Sequence, residues 1–175
     1  MPIDETRAFR PVRIALLTVS DTRTAAEDKS GDILADRIAA AGHILAERAL
    51  LKDDAADIVA LLHRWVDDAM IDCIIVTGGT GLTGRDVTPE ALAQLGGKDI
   101  PGFGELFRWL SFAKIGTSTI QSRACAVVAR GTYVFALPGS TGAVMDGWDD
   151  ILVHQLDSRF RPCNFVELMP RLREV

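Results

Sequence analysis

The clearest signal of the fold is the segment C-I-I-V-T-G-G-T-G at residues 73–81. A short apolar run that ends in small polar residues is typical of a buried strand in a parallel sheet. The glycines lack a Cβ, so their backbone N–H groups can approach a phosphate closely and they adopt positive φ at little cost. Residues 73–76 are therefore predicted to form a strand, and residues 77–81 either an anion-binding loop or simply a tight turn.

The residues before this stretch alternate between strand and helix patterns. Residues 12–19 form another short apolar run, and residues 43–51 predict a further strand, although alanines and charges interrupt it. Apolar residues recur at helical spacing in residues 33–41 and again in residues 58–66. Strands and helices joined by short connections indicate right-handed βαβ units, so the sequence predicts an α/β protein with a mostly parallel sheet.

The residues after the stretch predict shorter elements. A cap residue followed by Pro opens one helix, and two apolar runs around an Ala-Arg-Gly turn indicate a hairpin. The predicted elements are a helix opening at Thr88-Pro89, a helix over residues 103–113, a hairpin of strands 124–128 and 132–137, and helices over residues 144–152 and 164–172.

The composition is that of an ordinary globular protein. Of the 175 residues, 48% are hydrophobic and 25% are charged, which suits one packed core and argues against disorder. The net charge of -5, with scattered Lys and Arg, argues against nucleic acid as a partner. The dispersed cysteines and histidines indicate neither a disulfide framework nor a zinc site. The large aromatic residues Phe103, Phe107, Trp109 and Trp148 are expected in the core or in a subunit contact.

Cellular location is predicted from what the sequence lacks. No run approaches the ~20 apolar residues that span a bilayer, and residues 1–10 lack the apolar segment of a signal peptide. We therefore expect a cytoplasmic protein without membrane contact. A flexible N-terminal arm over residues 1–11 is expected to precede a single domain over residues 12–175.

Three polar segments follow predicted strands, at residues 18–21, 77–86 and 138–141. In an open parallel sheet, ligands bind beyond the carboxyl ends of the strands, so we expect these segments to converge in one crevice. Gly139 and Ser140 directly precede a predicted helix, where free N–H groups favour a second anion.

Two familiar nucleotide patterns match this region only by letter. The residues Gly79, Gly81 and Gly84 satisfy the spacing of the dinucleotide fingerprint, but the loop does not open a helix directly on the first strand. The same stretch nearly matches a phosphate-binding P-loop, with Arg85-Asp86 where Lys-Ser or Lys-Thr is required. No Ser-His-Asp or Cys-His arrangement is indicated either, which suits a transfer between two bound ligands.

Three aspartates are candidate metal ligands. A carboxylate at Asp86 would repel a phosphate unless a cation stood between them, so it predicts Mg²⁺. A cap or turn hydrogen bond near Thr88 would explain the same residue. Asp53 is a candidate second ligand or a cap for the next helix, and Asp21 could serve similarly or make an Asx turn.

The sequence resembles the MoaB/MogA family of molybdenum-cofactor biosynthesis proteins over nearly the whole chain after residue 12. The most specific matching segments are T-G-G-T-G-L-T-G-R-D-V-T-P-E-A at residues 77–91 and P-G-F-G-E at residues 101–105. Further matches are V-S-D-T-R at residues 19–23, D-K-S-G at 28–31, S-R at 122–123 and L-P-G-S at 137–140.

The resemblance implies a three-layer αβα domain that assembles as a homotrimer or as a homohexamer made of two trimers. It implies molybdopterin and ATP as substrates, Mg²⁺ as cofactor, and other proteins of the pathway as candidate partners. Asp53 and Asp86 fall on the family's acidic residues for catalysis or magnesium. The residues implied for substrate or nucleotide binding are Ser20, Asp21, Thr77, Gly78, Gly79, Thr80, Gly81, Arg85, Thr88, Glu105, Ser122, Arg123, Pro138, Gly139 and Ser140.

The ending R-P-C-N-F-V-E-L-M-P, residues 161–170, looks like the MoaB branch of the family. Two functions therefore stand as expectations. The first is a molybdopterin adenylyltransferase, in which the pterin's terminal phosphate attacks the α-phosphate of Mg-ATP and pyrophosphate leaves. The second is a molybdopterin-binding or scaffold protein of the same pathway without turnover.

Overall fold

Alternate side chains of the first strand point to opposite faces of one sheet. In the computed structural model, which describes residues 3–174, Ile14 and Leu16 pack with one helical layer and Ala15 and Leu17 with the other. Side chains alternate along a strand, so a continuous apolar run is what a strand needs when both faces are covered. The three-layer αβα arrangement is thereby confirmed.

The sheet has six strands in the order β2-β1-β3-β6-β5-β4. β2, β1, β3 and β6 run parallel, whereas β5 is antiparallel to both of its neighbours. The predicted mostly parallel sheet is therefore confirmed, including the hairpin between its last two strands. The strands are β1 Arg13–Val19, β2 Ile44–Leu51, β3 Cys73–Thr77, β4 Lys98–Asp99, β5 Cys125–Ala129 and β6 Thr132–Leu137.

The helices cover both faces of the sheet. Buried residues of α1, α4 and α5 share one apolar cluster, and those of α2 and α3 share the other. α5 continues through a π-helical segment, Trp148–Leu152, into α6. The helices are α1 Lys29–Ala40, α2 Ala55–Asp67, α3 Thr88–Ala93, α4 Pro101–Ile115, α5 Thr141–Gly147, α6 Val153–Gln155 and α7 Phe165–Leu168.

The order in which strands are added to the sheet reverses at β1, which lies between β2 and β3. α1 follows β1 on one face of the sheet, and α3 follows β3 on the opposite face. The loops that leave β1 and β3 therefore diverge, and they leave a crevice at the carboxyl edge of the sheet. This is the place where open α/β sheets bind ligands.

Several short elements differ from the sequence prediction, and two of them border β5 or α4. β4 has only two residues and was not predicted, because Lys98 and Asp99 carry none of the apolar alternation that marks a strand. The 3-10 turn Gly116–Gln121 was not predicted either, because none of its residues is buried and no apolar pattern marks it. Among the aromatic residues, Trp109 alone of the four singled out is highly exposed, at 72%.

The predicted N-terminal arm lies along the C-terminal part of the chain. The Asp4 N–H donates to the Arg159 carbonyl (3.0 Å), and the Ser158 hydroxyl accepts from Arg10 N–H (3.0 Å) and donates to the Ala8 carbonyl (3.0 Å). Asp4, Ala8 and Arg10 thus contact residues 158 and 159, whereas residues 1 and 2 lie outside the described residues. No helix within residues 3–174 is long and apolar enough to cross a membrane.

Candidate functional site

The crevice at the carboxyl edge of the sheet holds a cavity of about 740 Å³. Its volume falls in the range of roughly 300–1,000 Å³ that is typical of small-molecule sites. The loops after β1, β3 and β6 form three of its walls, and α4 with the following turn forms the fourth. The three polar segments therefore converge, as the sequence predicted.

The glycine-rich loop holds these walls together through close backbone contacts. Gly78 has φ of 101° and Gly79 has φ of 62°, in the left-handed region that favours glycine. A Cβ on Gly78 would lie 2.1 Å from the Val19 carbonyl oxygen, so no larger residue fits beside the end of β1. The Gly78 N–H also donates to the Leu137 carbonyl (3.0 Å), which ties the loop to β6.

Two threonines of the predicted binding set support the loop from behind. Thr88 is buried, and its hydroxyl donates to the Gly78 carbonyl (2.8 Å). Thr77 is also buried, and its hydroxyl donates to the Pro138 carbonyl (3.2 Å). Neither side chain lines the cavity, so both act through the shape of the loop.

Asp53 presents a carboxylate to the cavity, beside the backbone of Asp21. Burial and the neighbouring Asp21 carboxylate raise the pKa of Asp53 above its ordinary value. Capping, the alternative role considered for Asp53, is performed by Asp54, which accepts from the N–H groups of Ala56 and Asp57. A carboxylate with a raised pKa in a cleft is a candidate for a functional role.

Asp86 lines the same cavity in different surroundings. One of its oxygens accepts from the Thr83 N–H (2.8 Å) and the Thr83 hydroxyl (2.6 Å). These hydrogen bonds hold the pKa of Asp86 below its ordinary value. The turn that Asp86 stabilises is therefore at Thr83 and not at Thr88, and the Gly81 N–H adds to the lowering of its pKa.

Asp21 and Arg85 form an ion pair at the mouth of the cavity. The Arg85 guanidinium contacts both carboxylate oxygens, at 2.9 and 2.7 Å, and the Asp53 N–H donates to the same carboxylate (3.2 Å). The hydrogen bond from Arg85 holds the pKa of Asp21 below its ordinary value. Asp21 lines the cavity and Arg85 does not. The pair joins the loop after β1 to the loop after β3.

Arg123 clamps the glycine-rich loop from outside the cavity. Its guanidinium donates to the carbonyls of Gly81 (2.7 Å) and Asp86 (2.7 Å) and also pairs with Glu90. Arg123 therefore positions the loop that carries Asp86. Glu105, by contrast, is exposed and lines a separate groove beside β5, so the structure does not bring it to the cavity.

The α4 wall and Arg23 are parts of the cavity that the sequence prediction missed. α4 contributes Phe107, Ser111, Lys114 and Ile115, and helical spacing alone did not show that this face would border the crevice. Arg23 lay within a segment that matched the family, which was the available signal. The predicted residues that line the cavity are Ser20, Asp21, Asp53, Gly78, Gly79, Thr80, Gly81, Asp86, Ser122, Pro138, Gly139 and Ser140.

Fold and cavity together define an α/β protein with a ligand-sized site at the carboxyl edge of its sheet. Residues 15–158 match the family described as the probable molybdopterin binding domain. Molybdenum cofactor biosynthesis protein B of Escherichia coli (strain K12) is 48% identical over 157 residues, which cover 90% of this chain and 92% of that protein.

Solved structures agree with this match. A crystal structure of Molybdenum cofactor biosynthesis protein B has a TM-score of 0.82 and 39% identity, and the match covers 86% of this chain and 94% of that one. The tungsten cofactor synthesizing protein MoaB from Pyrococcus furiosus has a TM-score of 0.79 and 29% identity, with coverages of 95% and 100%. The chain belongs to the Molybdenum cofactor biosynthesis protein B family. The predicted resemblance to the MoaB branch of the MoaB/MogA family is therefore confirmed.

Proposed function

We propose that this chain binds molybdopterin in the 740 Å³ cavity and transfers an adenylyl group from ATP to it. One observation carries the proposal. Every residue that lines the cavity lies within residues 15–158, the segment that matches the molybdopterin-binding family. The glycine-rich backbone would face the phosphate groups, and the apolar side chains of α4 would face the flat pterin.

The donor set of the cavity suits a magnesium ion. Mg²⁺ prefers oxygen ligands and is usually held by one or two carboxylates together with substrate phosphates and water. The carboxylates of Asp53 and Asp86 offer such ligands. Residues 3–174 contain no group of three or more His, Cys, Asp or Glu that could hold a metal by themselves, so the phosphates of ATP would complete the coordination. Bound there, the ion would supply positive charge opposite the transferring phosphate.

The proposed reaction needs little chemistry from the side chains. A phosphate oxygen of molybdopterin attacks the α-phosphorus of ATP, the bond to the β-phosphate breaks, and pyrophosphate leaves. The protein holds the two phosphates in line, and its backbone N–H groups stabilise charge on the transferring group. Arg123 fixes Gly81 and Asp86 relative to each other, which keeps the glycine-rich loop in one geometry.

One observation favours the alternative of binding without turnover. Thr83 donates two hydrogen bonds to one oxygen of Asp86. A role in stabilising this turn would account for Asp86 without a metal. Under this alternative, Asp86→Asn would leave molybdopterin affinity unchanged or raise it, because a negative charge near phosphate is removed.

Pyrophosphate release tests the choice between the two functions. Purified protein receives molybdopterin, ATP and Mg²⁺, and Asp86→Asn is compared with Asp149→Asn. Asp149 is a suitable control, because it pairs with Arg37 on the surface and does not line the cavity. We expect the rate of pyrophosphate release to fall at least tenfold in the Asp86 variant, which corresponds to about 1.4 kcal/mol of lost stabilisation. The control should keep the wild-type rate. Molybdopterin binding without release by the wild type would establish the non-catalytic function.

We also propose that the chain forms a homotrimer or a homohexamer of two trimers. One face of α4 and the turn after it expose a stripe of large apolar residues, which we call the α4 stripe. Soluble monomers rarely expose such a patch unless a partner covers it. The α4 stripe consists of Leu106, Trp109, Phe112, Ile115 and Ile120.

A further inference from the structure

Arg23 places a positive charge at the cavity without a carboxylate beside it. Its guanidinium lines the cavity and donates to the Ser30 hydroxyl (2.7 Å) and the Gly139 carbonyl (3.0 Å). Both acceptors are neutral. Within residues 3–174, Arg23 has no ion pair with Asp or Glu, and a partly buried charge with neutral partners is costly unless an anion joins it.

Other cations around the cavity are already neutralised. Lys114, on the α4 wall, pairs with Asp146 (2.7 Å) and Asp150 (3.2 Å). Arg85, at the mouth, pairs with Asp21 (2.7 Å). Arg23 differs from both because its charge remains available to a ligand in the cavity.

A buried network fixes the orientation of Arg23. Asp28 is 1% exposed and accepts from the Arg48 guanidinium (2.8 Å) and from the Thr18 hydroxyl (2.8 Å). The Ser30 hydroxyl donates to the same carboxylate (3.3 Å). Since an ionised carboxylate only accepts hydrogen bonds, this donation leaves a lone pair of Ser30 for the Arg23 guanidinium.

The remaining donors of Arg23 suit a planar anion. A guanidinium has more N–H groups than these two contacts use. Its fork of donors matches the oxygens of a phosphate and often binds them in pairs. The contact to the Gly139 carbonyl also sets Arg23 beside the loop after β6, so the charge and this loop face the same ligand.

We propose that Arg23 recognises a phosphate group of the ligand, and that Ser30 and Asp28 are positioning residues for its guanidinium. The inference rests on the proposed function, because it assigns the phosphate to a ligand bound in that cavity. The phosphate can belong to molybdopterin or to ATP. The same side-chain chemistry serves either source, and separate titrations distinguish them.

A comparison of ligands with and without phosphate tests this role. Molybdopterin, enzymatically dephosphorylated molybdopterin and Mg-ATP are titrated separately into the wild type, Arg23→Gln and Ser30→Ala. Arg37→Gln is the matched control, since this arginine pairs with Asp149 on the surface. We expect Arg23→Gln to weaken one phosphorylated ligand by roughly ten- to hundredfold, as for hydrogen bonds to a charged group. Ser30→Ala should weaken the same ligand less.

Affinity for dephosphorylated molybdopterin separates recognition from a structural effect. If Arg23 contacts the phosphate, Arg23→Gln leaves the affinity for this ligand unchanged, and Arg23→Lys restores part of the affinity for the phosphorylated one. Equal weakening of both pterins would overturn the proposal, because it would show only a distorted loop. Unchanged affinity for molybdopterin and for Mg-ATP would overturn it as well, while leaving the proposed function intact. Failure of the wild type to bind molybdopterin would instead reject the proposed function, and the Mg-ATP titration would then decide the role of Arg23.

Discussion

Asp53 and Asp86 both line the cavity, but the pKa of Asp53 is raised and that of Asp86 is lowered. Hydrogen bonds from Thr83 stabilise the charge of Asp86, whereas burial and Asp21 destabilise the charge of Asp53. Because its pKa is raised, ionised Asp53 is a cost to the folded state, and a bound cation would remove that cost. Active sites commonly keep such destabilising groups because the ligand needs them.

We therefore predict that Asp53→Asn stabilises the ligand-free protein at pH 7, by about 0.5 kcal/mol. A raised pKa means that the folded state holds the proton of Asp53 more tightly than the unfolded state. The cost is therefore fully present above the folded pKa and disappears as the pH falls below the ordinary value of an aspartate. Urea unfolding of the variant and the wild type from pH 7 to pH 3 should show a difference that shrinks with falling pH.

Asp36→Asn is the control for that measurement, because Asp36 is an exposed residue of α1 outside the cavity lining. It should leave the free energy of unfolding nearly unchanged at every pH. A loss of stability in Asp53→Asn at pH 7 would contradict the interpretation, since it would mean that the carboxylate has a stabilising partner.

The α1 helix is where local preference and tertiary packing disagree. Gly31 lies in its first turn, and Ala normally stabilises a helix relative to Gly by roughly 0.5–1 kcal/mol. A Cβ on Gly31, however, would lie 2.0 Å from an Asp28 carboxylate oxygen and 2.7 Å from the Arg48 guanidinium. The glycine is required by the buried network and not by the helix.

Gly31→Ala should therefore destabilise the protein by roughly 1–3 kcal/mol, the usual cost of forcing atoms into a packed site. Gly102→Ala is the matched control, because Gly102 lies in the first turn of α4 and nothing approaches its Cβ position within 4 Å. Thermal unfolding should show a lower midpoint for the first variant and an equal or higher one for the second. Equal stabilisation by both would mean that Asp28 moves aside without cost.

Elements with strong apolar patterns were predictable from the sequence, and elements set by their neighbours were not. β1 and β3 are buried on both faces, so their apolar runs identified them. β4 exists because Lys98 and Asp99 pair with the end of β5, and both residues are exposed. Strand identity there depends on a partner, which a local pattern cannot show.

The same division applies to the candidate site. The loops after β1, β3 and β6 were predictable, because the carboxyl ends of parallel strands meet at one edge. The role of Arg23 was not, since it depends on Ser30 and Gly139, which are distant from each other in sequence. Thr88 was expected among the binding residues, and its hydroxyl donates to the Gly78 carbonyl, a contact that no local pattern shows.

At the scale of the whole molecule, the α4 stripe and the cavity share a boundary. Trp109 is 72% exposed and Ile120 is 80% exposed, which is unusual for such large apolar side chains on a free surface. Ile115 belongs to the α4 stripe and also lines the cavity. A second copy that covers the α4 stripe would therefore also exclude water from one side of the bound ligand.

We predict that Trp109→Ser dissociates the oligomer and weakens molybdopterin binding, although Trp109 does not line the cavity. Aromatic residues at the centre of an interface commonly contribute about 2 kcal/mol or more, so dissociation should be visible at micromolar protein. Sedimentation velocity over a range of concentrations would measure it. Met70→Ser is the control, because Met70 is 61% exposed and lies on the turn between α2 and β3, outside the α4 stripe. A wild type that stays monomeric would mean that the α4 stripe serves a different protein, and unchanged binding in a dissociated variant would separate the cavity from assembly.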